Sequence, residues 1–320
     1  MSEIATVALP FFGLVFLGYA LGRWGPVKRD LFAGFEFLVR SVALPALYFR
    51  LLATAPIGEV ASWSFILTTA FATYCAFAIA FSFAALLNRG RVPEATVEGL
   101  AGSQSAAAWL APALTLAALG TMAGVPTALV VAFDGLMLAV LTPLMMALAA
   151  TERTTFLGTA EAIGRDLLRE PVLIGAALGF LWSLTGIGLP GPLGGFFGYL
   201  AAAAIPAGLI LFGLTLFDRR VDQPPVDVGV LVAIKLVVHP LIVWLLLSWI
   251  GGFDPAWVAA AVLIAALPPG VEVLAAASRY RSYGARASQA VLWGSLASVV
   301  TLLVALVIVL GGFLPADPFR

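Results

Sequence analysis

Residues Ala265–Glu272 read Ala-Ala-Leu-Pro-Pro-Gly-Val-Glu and lie inside a long apolar run. An unbroken helix cannot contain this stretch, because the two prolines lack the backbone N–H that a helix uses and the glycine permits angles that other residues resist. Gly102–Ala106, which reads Gly-Ser-Gln-Ser-Ala, is a similar polar patch of small residues before Pro112. A simple kink with small residues for close helix packing is the alternative there. We expect a helix break at both places.

The composition around these breaks is that of a membrane protein. Hydrophobic residues make up 62% of the 320 residues and charged residues 11%, and the mean hydropathy is +1.06. Soluble domains carry roughly 25% charged residues. Backbone groups in lipid must be satisfied within one helix or a closed barrel, and these apolar runs are too long and uniform for barrel strands. The sequence therefore predicts an all-α polytopic membrane protein, with one cysteine, Cys75, and hence no disulfide or metal pair of cysteines.

Turn and charge patterns divide the chain into about ten predicted membrane spans. The spans are Ile4–Trp24, Leu31–Ala53, Trp63–Asn88, Ala95–Leu119, Val125–Ala149, Leu168–Leu189, Gly194–Phe217, Asp227–Ile250, Pro255–Tyr280 and Ala285–Phe313. The first span has no basic residue before it and exceeds a signal-peptide core, so we expect it to remain in the protein.

Lysine and arginine predict the orientation of these spans. With the amino terminus external, the cytoplasmic loops hold Arg23, Lys28, Arg29, Arg89, Arg91, Arg153, Arg165, Arg169, Arg219, Arg220, Arg279, Arg281 and Arg286. The external side keeps only Arg50 and Arg320. We expect both termini to be periplasmic, in the inner membrane of a bacterium.

The polar stretch Thr151–Arg169 divides the spans into two sets of five. An odd number of spans per half places the halves in opposite orientations, which is the inverted-repeat design of many secondary transporters. Ala43–Ala46 in span two resembles Ala204–Ala207 in span seven, and each stretch contains a proline. Broken spans four and nine would therefore cross, with helix amino termini that bind anions and carbonyls that hold a cation.

At these residues the chain resembles the auxin efflux carrier family, which includes bacterial malate and malonate permeases. The resemblance rests on Val42–Phe49, on Leu267–Val271 with Ala277 and Tyr280, on Lys235–Pro240, and on Ser295, Ser298 and Thr301. It implies an elevator-type transporter of organic anions with a bile-acid symporter-like or sodium/proton antiporter-like architecture. Spans one, two, six and seven would form a scaffold, and spans three to five and eight to ten a transport domain. Pairing of two copies through the scaffold is expected by the same analogy.

The predicted organisation gives residues 1–150 to the first repeat, 151–167 to a cytoplasmic linker and 168–320 to the second repeat. We expect no cofactor, with H⁺ or Na⁺ as the coupling ion. The expected substrate-binding residues are Ser103, Gln104, Ser105, Pro268, Pro269, Gly270 and Val271. The expected ion-coupling residues are Glu272, Gln104 and Gln289. Ser105 stands where the family commonly has asparagine, and Glu272 where it commonly has an amide or apolar residue.

Charges inside the predicted spans need partners or a role, because each costs at least about 2.5 kcal/mol at mid-bilayer. Glu36 and Arg40 are four residues apart and are expected to form an ion pair. Asp134 and Lys235 lie at comparable depth and could pair. His239 is expected to be buried and neutral. Glu272 follows the break directly, and its protonation or a bound Na⁺ would remove its repulsion of an anionic substrate.

Two other functions stay open from the sequence. One is a sodium-coupled carrier resembling the bile-acid symporter group, with a Na⁺ site from Gln104, Ser105, Glu272 and Gln289. The other is an intramembrane enzyme, but the sequence has no HExxH, GxSxG or paired-aspartate motif. A channel or a sensor lacks its usual filter or output domain.

Overall fold

The chain is all-helical in a computed structural model that describes residues 2–25, 29–149, 155–217, 226–316 and 318. The described residues form sixteen α-helices and one isolated antiparallel bridge, between Ser105 and Pro269. The helices of the amino-terminal half are α1 (Ser2–Trp24), α2 (Arg29–Leu38), α3 (Leu44–Ala53), α4 (Ile57–Val60), α5 (Trp63–Leu87), α6 (Val92–Ser103), α7 (Ala107–Leu119) and α8 (Gly124–Ala149). The helices of the carboxy-terminal half are α9 (Phe156–Leu167), α10 (Pro171–Leu184), α11 (Gly191–Leu216), α12 (Val226–Ala233), α13 (His239–Ile250), α14 (Pro255–Ala265), α15 (Glu272–Arg279) and α16 (Gly284–Leu310).

Irregular turns join several of these helices into longer segments. A π-helical turn, Val39–Ala43, connects α2 to α3, and a second, Ile234–Val238, connects α12 to α13. A 3₁₀ turn, Gly120–Ala123, connects α7 to α8. The two predicted breaks are present as well: one lies between α6 and α7, the other between α14 and α15.

Length and apolarity make this a polytopic membrane protein. Within the described residues, seven helical segments are long and apolar enough to cross a bilayer. An eighth is added if α9 and α10, which are bent by 78° at their junction, count as one span. Predicted span six differs from Leu168–Leu189, since its helix is the shorter Pro171–Leu184 and a separate helix, α9, precedes it in the predicted linker.

Glycines allow two pairs of helices to pack backbone against backbone. A Cβ atom at Gly18 of α1 would overlap the carbonyl oxygen of Ile210, and one at Gly213 of α11 would overlap that of Val15. Gly175 of α10 lies in the same way against the backbone of Pro45 in α3. Small residues at helix contacts are the usual way to bring membrane helices this close. The chain therefore packs α1 against α11 and α3 against α10.

The predicted ion pair between Glu36 and Arg40 is wrong. Arg40 Nη2 instead lies 2.7 Å from Glu170 Oε2, and Glu170 is the residue just before α10. Arg40 belongs to the π-helical turn Val39–Ala43, where the wider winding alters the regular i, i+4 stacking of an α-helix. The prediction of an i, i+4 pair holds only for a regular α-helix, and the helix is not regular here.

Five of the basic residues that predict the orientation lie outside the described residues, namely Lys28, Arg153, Arg219, Arg220 and Arg320. Four of the remaining loop arginines form ion pairs among the described residues: Arg91 with Glu94, Arg165 with Glu161, Arg279 with Asp166 and Arg286 with Asp227.

Candidate functional site

The two helix breaks lie side by side and are bonded to each other through their backbones. The N–H of Ala106 donates to the carbonyl oxygen of Pro268 at 2.9 Å, and the N–H of Gly270 donates to that of Gln104 at 3.1 Å. The hydroxyl of Ser105 donates to the carbonyl oxygen of Ile264 at 2.9 Å, near the end of α14. Backbone groups freed by each break thus find partners at the other.

Close packing holds the second break in place. A Cβ atom at residue 270 would overlap the Glu272 carboxylate and come within 2.9 Å of the Ser105 carbonyl oxygen. A Cβ atom at Gly294 of α16 would overlap the ring of Pro269. Only glycine therefore fits at residue 270 without a shift of its neighbours.

The predicted substrate-binding residues do not all share one role. Gln104 and Ser105 line a cavity beside the breaks. Pro268, Pro269 and Gly270 form the opposite wall of the junction and bond to its backbone. The Ser103 hydroxyl donates to the Gly99 carbonyl of its own helix at 2.9 Å.

Two other predicted residues lie apart from the cavity wall. Val271 is the residue that precedes α15. The amide oxygen of Gln289, on α16, is buried and has no hydrogen-bond partner among the described residues. No described contact brings Gln289 to the breaks.

The cavity has a volume of about 370 Å³ and is walled by both charged and apolar side chains. Gln104 and Ser105 of the first break, Glu272 just after the second break and Asp134 of α8 line it. The remaining charged or hydroxyl-bearing lining residues are Arg40, Thr142, Asp166, Arg169, Glu170, Arg279 and Tyr280. Asp166, Arg169 and Arg279 belong to the side that the charge pattern predicts to be cytoplasmic.

The amino terminus of α7 faces this cavity through Ala107 and Ala108. The preceding residue, Ala106, provides no side-chain cap. The first N–H groups of a helix have no partner within the helix, and the helix dipole adds partial positive charge there. This end of α7 is therefore suited to bind a carboxylate. Tyr48 fixes the same turn from the other side, with its hydroxyl 3.0 Å from the Ala108 carbonyl oxygen, to which it donates.

Glu272 is the first residue of α15 and lies between the break and the cavity. Its Oε2 atom is buried and has no hydrogen-bond partner among the described residues. Glu272 and the amino terminus of α7 line the same cavity, so an ionised Glu272 would repel an anion held in it.

A buried hydrogen-bond chain runs behind the cavity. Asp134 accepts a bond of 3.1 Å from the Thr73 hydroxyl, and Thr73 Oγ1 lies 3.3 Å from His239 Nε2. Lys235 Nζ lies 3.3 Å from His239 Nδ1 and donates to the carbonyl oxygen of Ala265, the last residue of α14. Donors and acceptors match along the chain when His239 is neutral with its proton on Nε2.

The predicted pairing of Asp134 with Lys235 is therefore indirect. Thr73 and His239 lie between the two charges and connect them. No sequence pattern marks Thr73, because it is one of several threonines in an apolar helix. The Lys235 ammonium ends at a helix carboxy terminus, where positive charge is favourable.

Glu98 is a further buried carboxylate, and no sequence pattern marks it. Its side chain is fully buried in α6, with Oε1 accepting a bond from Asn88 and Oε2 unpartnered among the described residues. Glu98 lies only three residues after the predicted start of span four, so the sequence alone does not distinguish it from a charge at the end of a span. Burial and the carboxylates of Glu98 and Asp227 raise the pKa of the nearby Tyr283 phenol, so Tyr283 remains a donor to Asp227.

The structure describes a polytopic membrane protein with two joined helix breaks beside a cavity lined by charged and polar side chains, an arrangement typical of membrane transport proteins. The chain belongs to the Membrane transport protein family, whose model matches residues 4–306. This is the auxin efflux carrier family that the sequence resembles. The chain is also 36% identical, over 319 residues that cover 100% of both chains, to a Rhizobium meliloti (strain 1021) protein named "Putative malonate transporter". Family and relative indicate a transporter and not an enzyme.

Proposed function

We propose that the protein is a secondary active transporter that moves a small organic anion, a dicarboxylate of the malonate type, across the bacterial inner membrane. The observation that carries this proposal is the pair of joined helix breaks beside a cavity of about 370 Å³. Irregular backbone at membrane depth is tolerated where it lines such a cavity. The name of the Rhizobium meliloti relative supports malonate as the first substrate to test.

The proposed architecture has ten spans arranged as two inverted repeats of five. In such a repeat, span one corresponds to span six and span two to span seven. The symmetry that relates the two repeats then makes the contact of span one with span seven equivalent to the contact of span six with span two. The glycine-mediated packing of α1 on α11 and of α3 on α10 fits this relationship.

An elevator movement follows from this architecture as a further part of the proposal. The four spans with glycine contacts would be the scaffold, and the spans that hold the two breaks would slide past it. Two copies would associate through their scaffolds. Substrate bound at the breaks would then move with the transport domain.

The proposed orientation places both termini in the periplasm. The cavity is lined by Asp166, Arg169 and Arg279, which lie on the predicted cytoplasmic side. On this orientation the cavity faces the cytoplasm.

Coupling is proposed to occur through Glu272. Its unpartnered carboxylate oxygen lies beside the breaks, where an ionised form repels an anionic substrate. Protonation of the carboxylate or a bound Na⁺ would relieve this repulsion. Protonation of Glu272 or binding of Na⁺ would thus accompany substrate binding.

The test is transport by the full-length protein in liposomes. Substrate-evoked currents are recorded for a panel of mono- and dicarboxylates, with and without Na⁺ and at acidic and neutral pH. Exchange of radiolabelled malonate is measured in parallel, since electroneutral exchange produces no current. Currents or exchange that require a carboxylate support the proposal, whereas silence in both assays across the panel overturns it.

A further inference from the structure

The ion pair between Arg40 and Glu170 lies on the wall of the cavity. Arg40 Nη2 and Glu170 Oε2 are 2.7 Å apart, and both residues line the space. The two side chains keep 44% and 32% of their exposure, so solvent and solutes reach them. Exposed ion pairs of this kind contribute little to stability and open readily. The guanidinium is therefore available to another carboxylate.

Arg40 is suited to bind a carboxylate of the substrate. A guanidinium presents a planar set of donors that matches both oxygens of a carboxylate. In the structure it already holds a carboxylate, that of Glu170. Arg40 also lies within the apolar segment Leu31–Ala53, where a charge is costly unless it has a role.

Arg40 is distinguished from the other two arginines of the cavity. Arg279, which is paired with Asp166 at 2.6 Å, lies in the last turn of α15, outside the apolar segments that are long enough to cross a bilayer. Arg169 precedes α10 and lies outside the apolar segments that are long enough to cross a bilayer. Arg40 is thus the arginine set within the membrane-spanning part of the cavity wall.

The cavity offers two positions that suit a carboxylate, the amino terminus of α7 and Arg40, and a dicarboxylate has one carboxylate for each. One carboxylate would bind the amino terminus of α7, and the other would replace Glu170 at Arg40. We infer that Arg40 is the residue that selects dicarboxylates over monocarboxylates, and that Glu170 is an internal carboxylate that occupies Arg40 until substrate displaces it. This inference rests on the proposed organic-anion transport and assigns its specificity to one side chain.

The experiment compares malonate with malonamate, in which one carboxylate is replaced by an amide of similar size. Binding of radiolabelled malonate to the purified full-length protein is competed with each unlabelled compound. For the wild type we expect a preference for malonate of roughly tenfold or more, the range of one charge-assisted hydrogen-bonded contact. Arg40→Gln should bring the ratio of the malonate affinity to the malonamate affinity close to one. Arg40→Lys should give an intermediate ratio, because an ammonium lacks the planar set of donors.

Changes at Glu170 give the second arm of the test. Glu170→Gln removes the carboxylate that competes for Arg40, so malonate should bind more tightly than to the wild type. The affinity for malonamate should increase by a smaller factor. If Arg40→Gln fails to fold, the double variant Arg40→Gln/Glu170→Gln retains a neutral hydrogen-bonding pair and is used instead. Arg165→Gln, which removes an arginine outside the cavity wall, is the matched control and should leave the ratio unchanged.

The outcomes separate the inference from the proposed function. Malonate binding with an unchanged preference in Arg40→Gln, or loss of the preference in Arg169→Gln instead, overturns the role of Arg40 alone. Wild-type protein that binds and transports no carboxylate overturns the proposed function, and the inference falls with it. A preference that collapses in Arg40→Gln and increases in Glu170→Gln establishes the inference.

Discussion

The backbone N–H of Gly270 donates to the carbonyl oxygen of Gln104 at 3.1 Å and so ties one helix break to the other. The two residues are far apart in the chain, and neither break could bury its free backbone groups alone. The pairing explains why one stretch of polar small residues and one Pro-Pro-Gly stretch occur together in this sequence.

Gly270→Ala is expected to damage this junction. The new methyl group would overlap the Glu272 carboxylate and press on the Ser105 carbonyl oxygen. Overpacking of this kind costs about 1–3 kcal/mol, and we expect malonate transport to be lost along with it. Denaturant titration in mixed micelles and tracer exchange measure the two effects.

Gly229→Ala is the control for that substitution. Gly229 lies in the interior of α12, and a Cβ atom there meets nothing within 4 Å. It should leave both stability and transport near the wild-type level. Equal behaviour of the two variants would show that the space at Gly270 is not critical.

The sequence predicted both breaks, because proline and glycine act on the backbone locally. It also predicted that Gln104 and Ser105 meet Pro268–Gly270. It failed for Arg40, whose partner Glu170 is distant in sequence and reached through a π-helical turn that no residue pattern revealed.

The cavity could not be predicted in the same way. The sequence pattern places Asp166 in the predicted linker and Glu170 in predicted span six, yet tertiary packing brings both to the cavity wall. Thr73 and Glu98 were missed for a related reason, since burial and bonding partners depend on the neighbouring helices. A single sequence predicts features that depend on neighbouring residues, such as a helix break. Contacts between side chains that are distant in sequence can be identified only from the folded structure.

Glu272→Gln is expected to uncouple transport from the ion gradient. The amide cannot ionise, so the repulsion that protonation or a cation would relieve is absent throughout the cycle. We expect malonate binding to persist while uptake stops responding to a pH or Na⁺ gradient. Uptake driven by imposed gradients into liposomes, with equilibrium binding measured beside it, tests this.

The matched control for Glu272 is Glu161→Gln. Glu161 is an exposed acid of α9 paired with Arg165, and it lies outside the cavity wall. Its removal should leave gradient-driven uptake unchanged. Normal pH- or Na⁺-driven transport in Glu272→Gln would rule out Glu272 as the coupling group.

Thr73→Val is expected to destabilise the protein through the buried hydrogen-bond chain. The substitution keeps the shape of the side chain but removes the hydroxyl that donates to Asp134 and lies beside His239. Leaving a buried group without its partner costs about 1–3 kcal/mol. The free energy of unfolding in mixed micelles should fall by that amount.

Thr68→Val provides the comparison on the same helix. Thr68 is also buried, but among the described residues its hydroxyl donates to the Ser64 carbonyl of its own helix α5, at 2.6 Å, and to no charged group. The free energy of unfolding should decrease less for Thr68→Val than for Thr73→Val, because no charged group loses a hydrogen-bond donor. A larger loss for Thr68→Val would contradict the assigned importance of the chain from Asp134 to Lys235.

The proposed topology predicts which positions react with a reagent that cannot cross the membrane. In a Cys75→Ser background, single cysteines are introduced at four exposed positions as Glu3→Cys, Arg165→Cys, Gly188→Cys and Phe313→Cys. An impermeant maleimide should label the cysteines at positions 3, 188 and 313 in intact cells, and the one at position 165 only after permeabilisation. Labelling of positions 3 and 313 from opposite sides would require an odd number of spans. Because two five-span halves always give an even number, that result would exclude the inverted repeat and with it the elevator movement built on it.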